Sequence, residues 1–413
     1  MYYQTYDITS LLNSGENGIG FTLSCGWCNG AQTFVLGCFN FWGDKESLLA
    51  QIIIDYADGS QDIYVTNCGD WEYYGEGPFK FSGLYYGEYY DARKDFIYKD
   101  FSKPGFNVNE MKKPVEITPP KIPSFDSLPG FFRTYPPVNY REPQLSGNYF
   151  TAVRPVEIFT AKSVSSPAEG IYIYDLGQEI AGVPKLRFKG KRGVKVTIRY
   201  GEMLYPPLPE YGQLAGRLLQ ANLRDAACVD TYILSGSEND EVFCPRFTFH
   251  GYRYIEISGV DEPLPLQDVQ SILLSSVVVS GKLHTDNGLC NRFFENVKYS
   301  QLCNFISIPT DCPQRNERMG WTGDAHVFCR TALYQSRARN FYLKYLECIA
   351  DCQDEDGNFP DVAPVGGGFG GITYGCAMFI ILEELNRFYG ETEAVEKYYS
   401  CMQKYMTYLE NKG

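Results

Sequence analysis

Two periodicities divide the chain. Up to about residue 278, apolar positions alternate in short runs broken by Gly, Asn, Asp and Pro, which reads as strands and turns. The first such runs are 20–25, 33–41 and 49–55, the last followed by the turn dipeptide Asp58-Gly59. A second set, 171–176, 183–189, 194–200, 229–234, 245–249 and 252–258, predicts strands of about six residues. Gly190 to Gly193 marks a hairpin, and Gly251 interrupts an aromatic strand pair. Between the two sets, 101–148 is irregular and Pro-rich, with Pro119-Pro120 and Pro136-Pro137, and reads as an arm laid on the surface. Segment 205–225 reads as a long loop with a short helical portion. After about residue 280 the apolar period becomes 3.6, predicting helices at 287–303, 322–335, 339–352, 373–389 and 393–411. Asp286 and Thr392 are the expected N-caps of the first and last. The expected architecture is β plus α. Two β-sandwich, jelly-roll-like units (1–148 and 149–278) precede a helical unit (279–413) that fits half of an (α/α)6 barrel.

Composition narrows the partners. The 413 residues carry a net charge of −13, with no surplus of Lys and Arg to displace phosphate counterions. That argues against nucleic acid and against anionic membrane as partners. Neutral substrates fit it best. Aromatics make up 15%, dominated by 33 Tyr. Tyr joins an apolar face to a hydroxyl, as sugar sites require, but it is also a strand former, and strand composition accounts for most of them. The 14 Cys are too few for a disulfide scaffold, and Cys329, Cys348 and Cys376 fall inside apolar helical patterns. Cys25 and Cys28 form a C-G-W-C string among Gly and Asn rather than at a helix start, so a loop role outweighs redox or zinc chemistry. There is no signal-like start and no apolar run of about 18 residues, so a reducing cytoplasm is the expected compartment.

The densest polar cluster lies between the first two predicted helices, at 309–324, P-T-D-C-P-Q-R-N-E-R-M-G-W-T-G-D. It gathers the carboxylates Asp311, Glu317 and Asp324 with Arg315, Arg318 and Trp321, while Pro313 and Gly320 break any helix. Clustered carboxylates suit chemistry in which one group donates a proton while others stay ionised, glycoside hydrolysis among them. An indole beside them could stack on a sugar ring. The same residues could instead form a salt-bridge network capping the helix near Thr322, with Asp324 favourable at its start. The pattern alone leaves these two readings even.

The string 311–324 resembles the signature of the bacterial α-L-rhamnosidases, glycoside hydrolase family 78, D-C-P-Q-R-D-E-R-x-G-W-x-G-D, and departs from it at Asn316. Further stretches resemble the family in order: Tyr6 to Thr9, Gly15 to Asn17 and Gly87 to Arg93 its first β domain; Asp175 to Gly182, Tyr200 to Glu202 and Pro245 to Tyr254 its second. The resemblance implies an inverting hydrolase that releases terminal α-L-rhamnose from glycosides. By position Glu317 would be the general acid, Asp311, Arg315 and Asp324 would bind rhamnose hydroxyls, and Trp321 would line the pocket. It implies no cofactor and no metal. The family's general base is a Glu in the second half of the barrel, which the resemblance puts beyond Gly413. At Tyr374 to Ala377 the family carries W-G-D-A, so here an indole and a carboxylate are replaced by Tyr374 and Cys376.

The chain is therefore expected to be clipped at both ends, weakly active or inactive alone, and prone to associate with further copies through the apolar faces of its last helices. The alternative is a catalytically incomplete carbohydrate-binding or structural fragment. Lyase or phosphorylase chemistry on a similar scaffold is a third reading.

Overall fold

The structure, a computed structural model, describes residues 2–31, 40, 43–117, 145–367 and 371–412. The expected strand 33–41, Asn40 apart, and both Pro-Pro pairs of the arm lie outside these residues. The strands used below are β1 (Gln51–Asp55), β2 (Gln61–Val65), β3 (Phe79–Gly83), β4 (Gly87–Asp91), β5 (Arg154–Thr160), β6 (Ser163–Ala168) and β7 (Ile171–Phe188). They continue with β8 (Lys195–Gly201), β9 (Val229–Ile233), β10 (Glu241–Phe243), β11 (His250–Ser258) and β12 (Val269–Ser275). The helices used below are α1 (Gly288–Asn304), α2 (Thr322–Gln335), α3 (Arg339–Asp351), α4 (Ala377–Tyr389) and α5 (Thr392–Lys412).

β1 and β2 form a hairpin across the turn expected at Asp58-Gly59, where Gly59 sits at φ 87°. Ten strands form one sheet in the order β3-β4-β9-β8-β11-β7-β12-β5, with β6 and β10 also paired to β7. β4 joins it by a parallel ladder on β9, Thr231 opposite Tyr89 and Ile233 opposite Asp91. The early chain thus extends the sheet of the middle region.

Several strand expectations need correction. Segments 171–176 and 183–189 are one strand, β7, which passes through Gly177 at φ 70° and pairs with β11 on both sides of a register shift. The Gly190–Gly193 turn does not make a hairpin, because β11 lies between β7 and β8. Segment 245–249 is not a strand, since the amides of Arg246 and Phe247 donate to the Glu88 carboxylate instead of to a ladder. Segment 20–25 is irregular. Gly18 and Gly20 lie so close to Ser102 and Phe101 that a Cβ would collide, and Phe21 and Leu23 stay exposed.

The helices fall close to the expected spans, because their apolar stripes are long. The span 373–389 is broken at Cys376 into a one-turn helix, Ile372–Gly375, and α4. The first N-cap is Asn287 rather than Asp286: its carboxamide oxygen accepts from the Leu289 and Cys290 amides. Thr392 is the first residue of α5. α1 lies on β7 and β12, and α4 packs against α2, α3 and α5. One apolar cluster runs from Tyr174, Ile198, Tyr252 and Leu273 in the sheet to Phe305, Tyr342, Leu346 and Ile381 on the helical side. At about 25 cal/mol per Å² of apolar surface removed from water, this shared core is the main force seating the helices on the sheet. No helix among the described residues is long and apolar enough to cross a membrane, and all described cysteines are free thiols.

Candidate active site

The loop between α1 and α2 is wedged between the sheet and the helices. It opens with a two-residue ladder, Phe305–Ile306 against Ile308–Pro309, fixed to the end of β12 by Ser276 N–H donating to Phe305 O at 2.7 Å. Phe305 stacks on Phe341 of α3 at 4.2 Å. From the sheet side, Tyr85 Oη donates to Glu317 O at 2.9 Å, and Cys228 Sγ donates to Gln314 O at 3.4 Å. A Cβ on Gly251 would lie 2.7 Å from Gln314 Cα, so the strand can approach this closely only as glycine. Arg318 is buried; it donates to Leu84 O at 2.5 Å and Phe249 O at 2.9 Å and lies over the Phe249 ring. From the helical side, Tyr345 Oη donates to Gly320 O at 2.7 Å, as does the Ala363 amide at 2.9 Å. Asp311 at φ 59° and Arg318 at φ 49° lie in the left-handed region, a conformation the surrounding contacts must hold.

This clamp fixes one carboxylate from two sides. Glu317 Oε2 accepts from Arg224 Nη1 at 3.1 Å and from Arg315 Nε at 2.9 Å, and Oε1 accepts from Trp321 Nε1 at 3.0 Å. Both lone pairs of Oε2 are thereby used, while Oε1 keeps one for a proton or a substrate hydroxyl. Arg315 Nη2 also donates to Cys312 Sγ at 2.8 Å, and the Cys312 thiol donates to Asp311 Oδ2 at 2.7 Å. Burial raises the Asp311 carboxyl above its ordinary value against the opposing Cys312 hydrogen bond, and the negative charges of Asp324 and Glu317 add to the rise. Burial likewise pushes the Cys312 thiol up, with Asp311 adding to it.

A cavity of about 470 Å³ opens beside Glu317, within the range of small-molecule sites. Asp311, Glu317, Trp321 and Asp324, all singled out in the sequence, line it. Arg315, the fifth expected site residue, is turned to Glu317 and Cys312. Asp361, Gly371, Thr373 and Tyr374 complete the wall. Tyr374 meets Trp321 edge-on at 6.0 Å, and a Cβ on Gly323 would strike its ring. The Thr373 carbonyl lies 2.7 Å from His326 Nε2 of α2, which ties the one-turn helix to the site.

Asn316, the departure from the motif, donates to Asp225 at 3.2 Å. An aspartate there would set two carboxylates against each other, so an amide suits this chain. Asp311, Cys312 and Glu317 form the one group among the described residues with donor atoms close enough to share a metal ion. Arg315 already donates to two of its three members, so a cation would have to displace a guanidinium.

Sequence reasoning missed Asp361 and Arg224. Asp361 follows Pro360 in a loop without a chemical pattern, and Arg224 lies in the long loop between β8 and β9. Their roles arise only when the chain folds back.

Three family models match consecutive parts of the chain. They are the alpha-L-rhamnosidase N-terminal domain over 1–128, the bacterial alpha-L-rhamnosidase concanavalin-like domain over 165–277, and the bacterial alpha-L-rhamnosidase 6 hairpin glycosidase domain over 279–413. The chain is 33% identical to an alpha-L-rhamnosidase of Streptomyces avermitilis, a match covering 99% of this chain and 36% of the relative. It is 29% identical to one of Alteromonas sp. (strain LOR), covering 99% and 41%. Among solved structures, S. avermitilis alpha-L-rhamnosidase complexed with L-rhamnose superposes with a TM-score of 0.81 at 30% identity, over 94% of this chain and 35% of that one. The native Aspergillus terreus enzyme gives 0.82 at 28% identity, over 98% and 44%. The chain spans about two fifths of the length of these curated relatives.

Proposed function

The chain belongs to the bacterial α-L-rhamnosidase family, and from that premise we propose that it carries the acid half of an inverting glycosidase site, releasing terminal α-L-rhamnose from glycosides. The observation that carries the reading is the Glu317 carboxyl, held by Trp321 and two guanidinium groups at the wall of a cavity that Asp311 and Asp324 also line. In the proposed step Glu317 protonates the glycosidic oxygen as the bond from that oxygen to the anomeric carbon breaks. Water attacks that carbon from the opposite face, and a base takes the water's proton. We assign no residue of 1–413 to that base. Asp311 and Asp324 accept hydrogen bonds from rhamnose hydroxyls, and the Trp321 ring supplies an apolar wall. Arg315 holds Glu317 and Cys312, and its remaining N–H groups would bind a rhamnose hydroxyl.

Release of p-nitrophenol from p-nitrophenyl α-L-rhamnoside tests the assignment. Glu317→Gln should lower kcat by about 10²–10⁴-fold, the usual contribution of a general acid. Unchanged turnover removes Glu317 from the role. The raised Asp311 carboxyl favours a second assignment, with Asp311 as proton donor. In that case Asp311→Asn, and not Glu317→Gln, would be the variant rescued by a leaving group that needs no protonation. Calorimetric binding of rhamnose without turnover would favour the reading as a carbohydrate-binding fragment.

A further inference from the structure

One residue in the site comes from a connection on the sheet side rather than from the 311–324 segment. Arg224 follows a one-turn 3-10 helix, Ala221–Leu223, in the connection between β8 and β9, and reaches across to Glu317 Oε2. Its backbone stands at φ 57°, ψ −123°, a combination open to glycine and costly for any residue with a Cβ. The neighbours hold it there. Leu223 and Ala226 are buried, Asn222 Nδ2 donates to Glu202 at 2.6 Å, and Asp225 accepts from Asn316 of the site loop at 3.2 Å. A half-exposed arginine needs no such backbone to satisfy itself with water. The backbone is explained if the direction of the guanidinium matters.

We propose that Arg224 is a positioning residue for the proton donor: its guanidinium, delivered from the sheet side, pins Glu317 Oε2 so that Oε1 is the oxygen that carries the proton to the leaving group. The inference rests on the reading of Glu317 as general acid. Arg315 alone leaves the carboxyl held from its own loop, with that guanidinium shared with Cys312. Arg224 adds the fixed point that comes from the other side of the seam.

Arg224→Gly and Arg224→Lys test it together. Glycine adopts the backbone conformation freely, so the melting temperature of Arg224→Gly should equal or exceed that of the wild type. The indole N–H of Trp321, identified in a ¹⁵N-tryptophan spectrum by its loss in Trp321→Phe, reports the hydrogen bond to Oε1. It should move in Arg224→Gly and stay near its wild-type position in Arg224→Lys. In a series of aryl and alkyl α-L-rhamnosides, the kcat/KM loss of Arg224→Gly should be under threefold for the 2,4-dinitrophenyl glycoside. It should exceed tenfold for the methyl glycoside, and guanidinium chloride at millimolar levels should restore part of it. A folded Arg224→Gly protein with an unmoved indole resonance and a loss that does not depend on the leaving group overturns the proposal, leaving a surface ion pair only. If the loss of Glu317→Gln is equally independent of the leaving group, it is the acid reading that fails. Where the chain turns over no glycoside, the indole resonance decides alone.

Discussion

The sheet contains a buried ion pair whose removal gives a signed dependence on pH. His250 Nε2 lies 3.2 Å from Asp230 Oδ1, and both side chains are fully buried. Asp230 also accepts from Tyr200 Oη at 2.5 Å and from the Glu88 amide at 2.7 Å, and the His250 ring stacks on Tyr200 at 4.1 Å. Burial opposes a charged imidazole here, but the Asp230 charge and hydrogen bond, aided by Cys228, outweigh it and raise His250 from 6.5 to about 9. A rise of that size corresponds to about 3 kcal/mol of stability. Below pH 6.5 the ring is charged whether the chain is folded or not, and the contribution is present in full. Between 6.5 and about 9 the unfolded chain has lost the proton that the folded protein still binds, so the contribution shrinks; above 9 it is gone. His250→Gln removes the titrating ring and keeps a neutral donor. Thermal unfolding followed by circular dichroism should therefore show a gap between wild type and variant that is larger at pH 6 than at pH 9.5 by roughly 6–12 °C, taking 2–4 °C per kcal/mol for a domain of this size. A gap that stays constant over that range refutes the argument, because it would mean that His250 contributes packing and no charge.

The remaining predictions concern the clamp on the site loop. A Cβ on Gly320 would lie 2.1 Å from Ala363 O, a backbone atom that cannot step aside, so Gly320→Ala should cost about 2–4 kcal/mol in chemical denaturation; a cost below 1 kcal/mol would show that the contact yields. Tyr345→Phe deletes a buried hydroxyl, yet Gly320 O keeps the Ala363 amide, so the loss should be only about 1 kcal/mol; one above 3 kcal/mol would contradict that sharing.

What could be read from the sequence depended on how local each signal is. α2 and α3 follow from apolar stripes that need no partner to be recognised, and their spans agree with expectation to within a residue. The sheet is less legible, because its order depends on pairings between distant segments. β4 and β9 lie about 140 residues apart, and nothing in Gly87–Asp91 alone announces a parallel neighbour. The runs 171–176 and 183–189 are joined through Gly177, at φ 70°, where β7 bends and continues, with the irregularity taken up opposite it between Tyr252 and Tyr254 of β11, a pairing that neither run announces alone.

The site divides along the same line. Asp311, Glu317, Trp321 and Asp324 could be singled out together because they are contiguous, and a contiguous loop needs only one bend to bring its carboxylates to one cavity. Holding them there is a separate problem. Like charges at the wall of a partly buried cavity repel, and a loop with three left-handed residues, Ser307, Asp311 and Arg318, does not keep its shape unaided. The donors that solve this are dispersed: Tyr85, Arg224 and Cys228 from the sheet side, Tyr345 and Ala363 from the helical side. Each reads in isolation as an ordinary aromatic, loop cation or small residue, and becomes informative only through its partner. The sheet is thus part of the site rather than a separate module beside it. A variant that loosens β11 near Phe249 and Gly251, which touch Arg318 and Gln314, should disturb Glu317 even though no atom of that strand reaches the cavity wall.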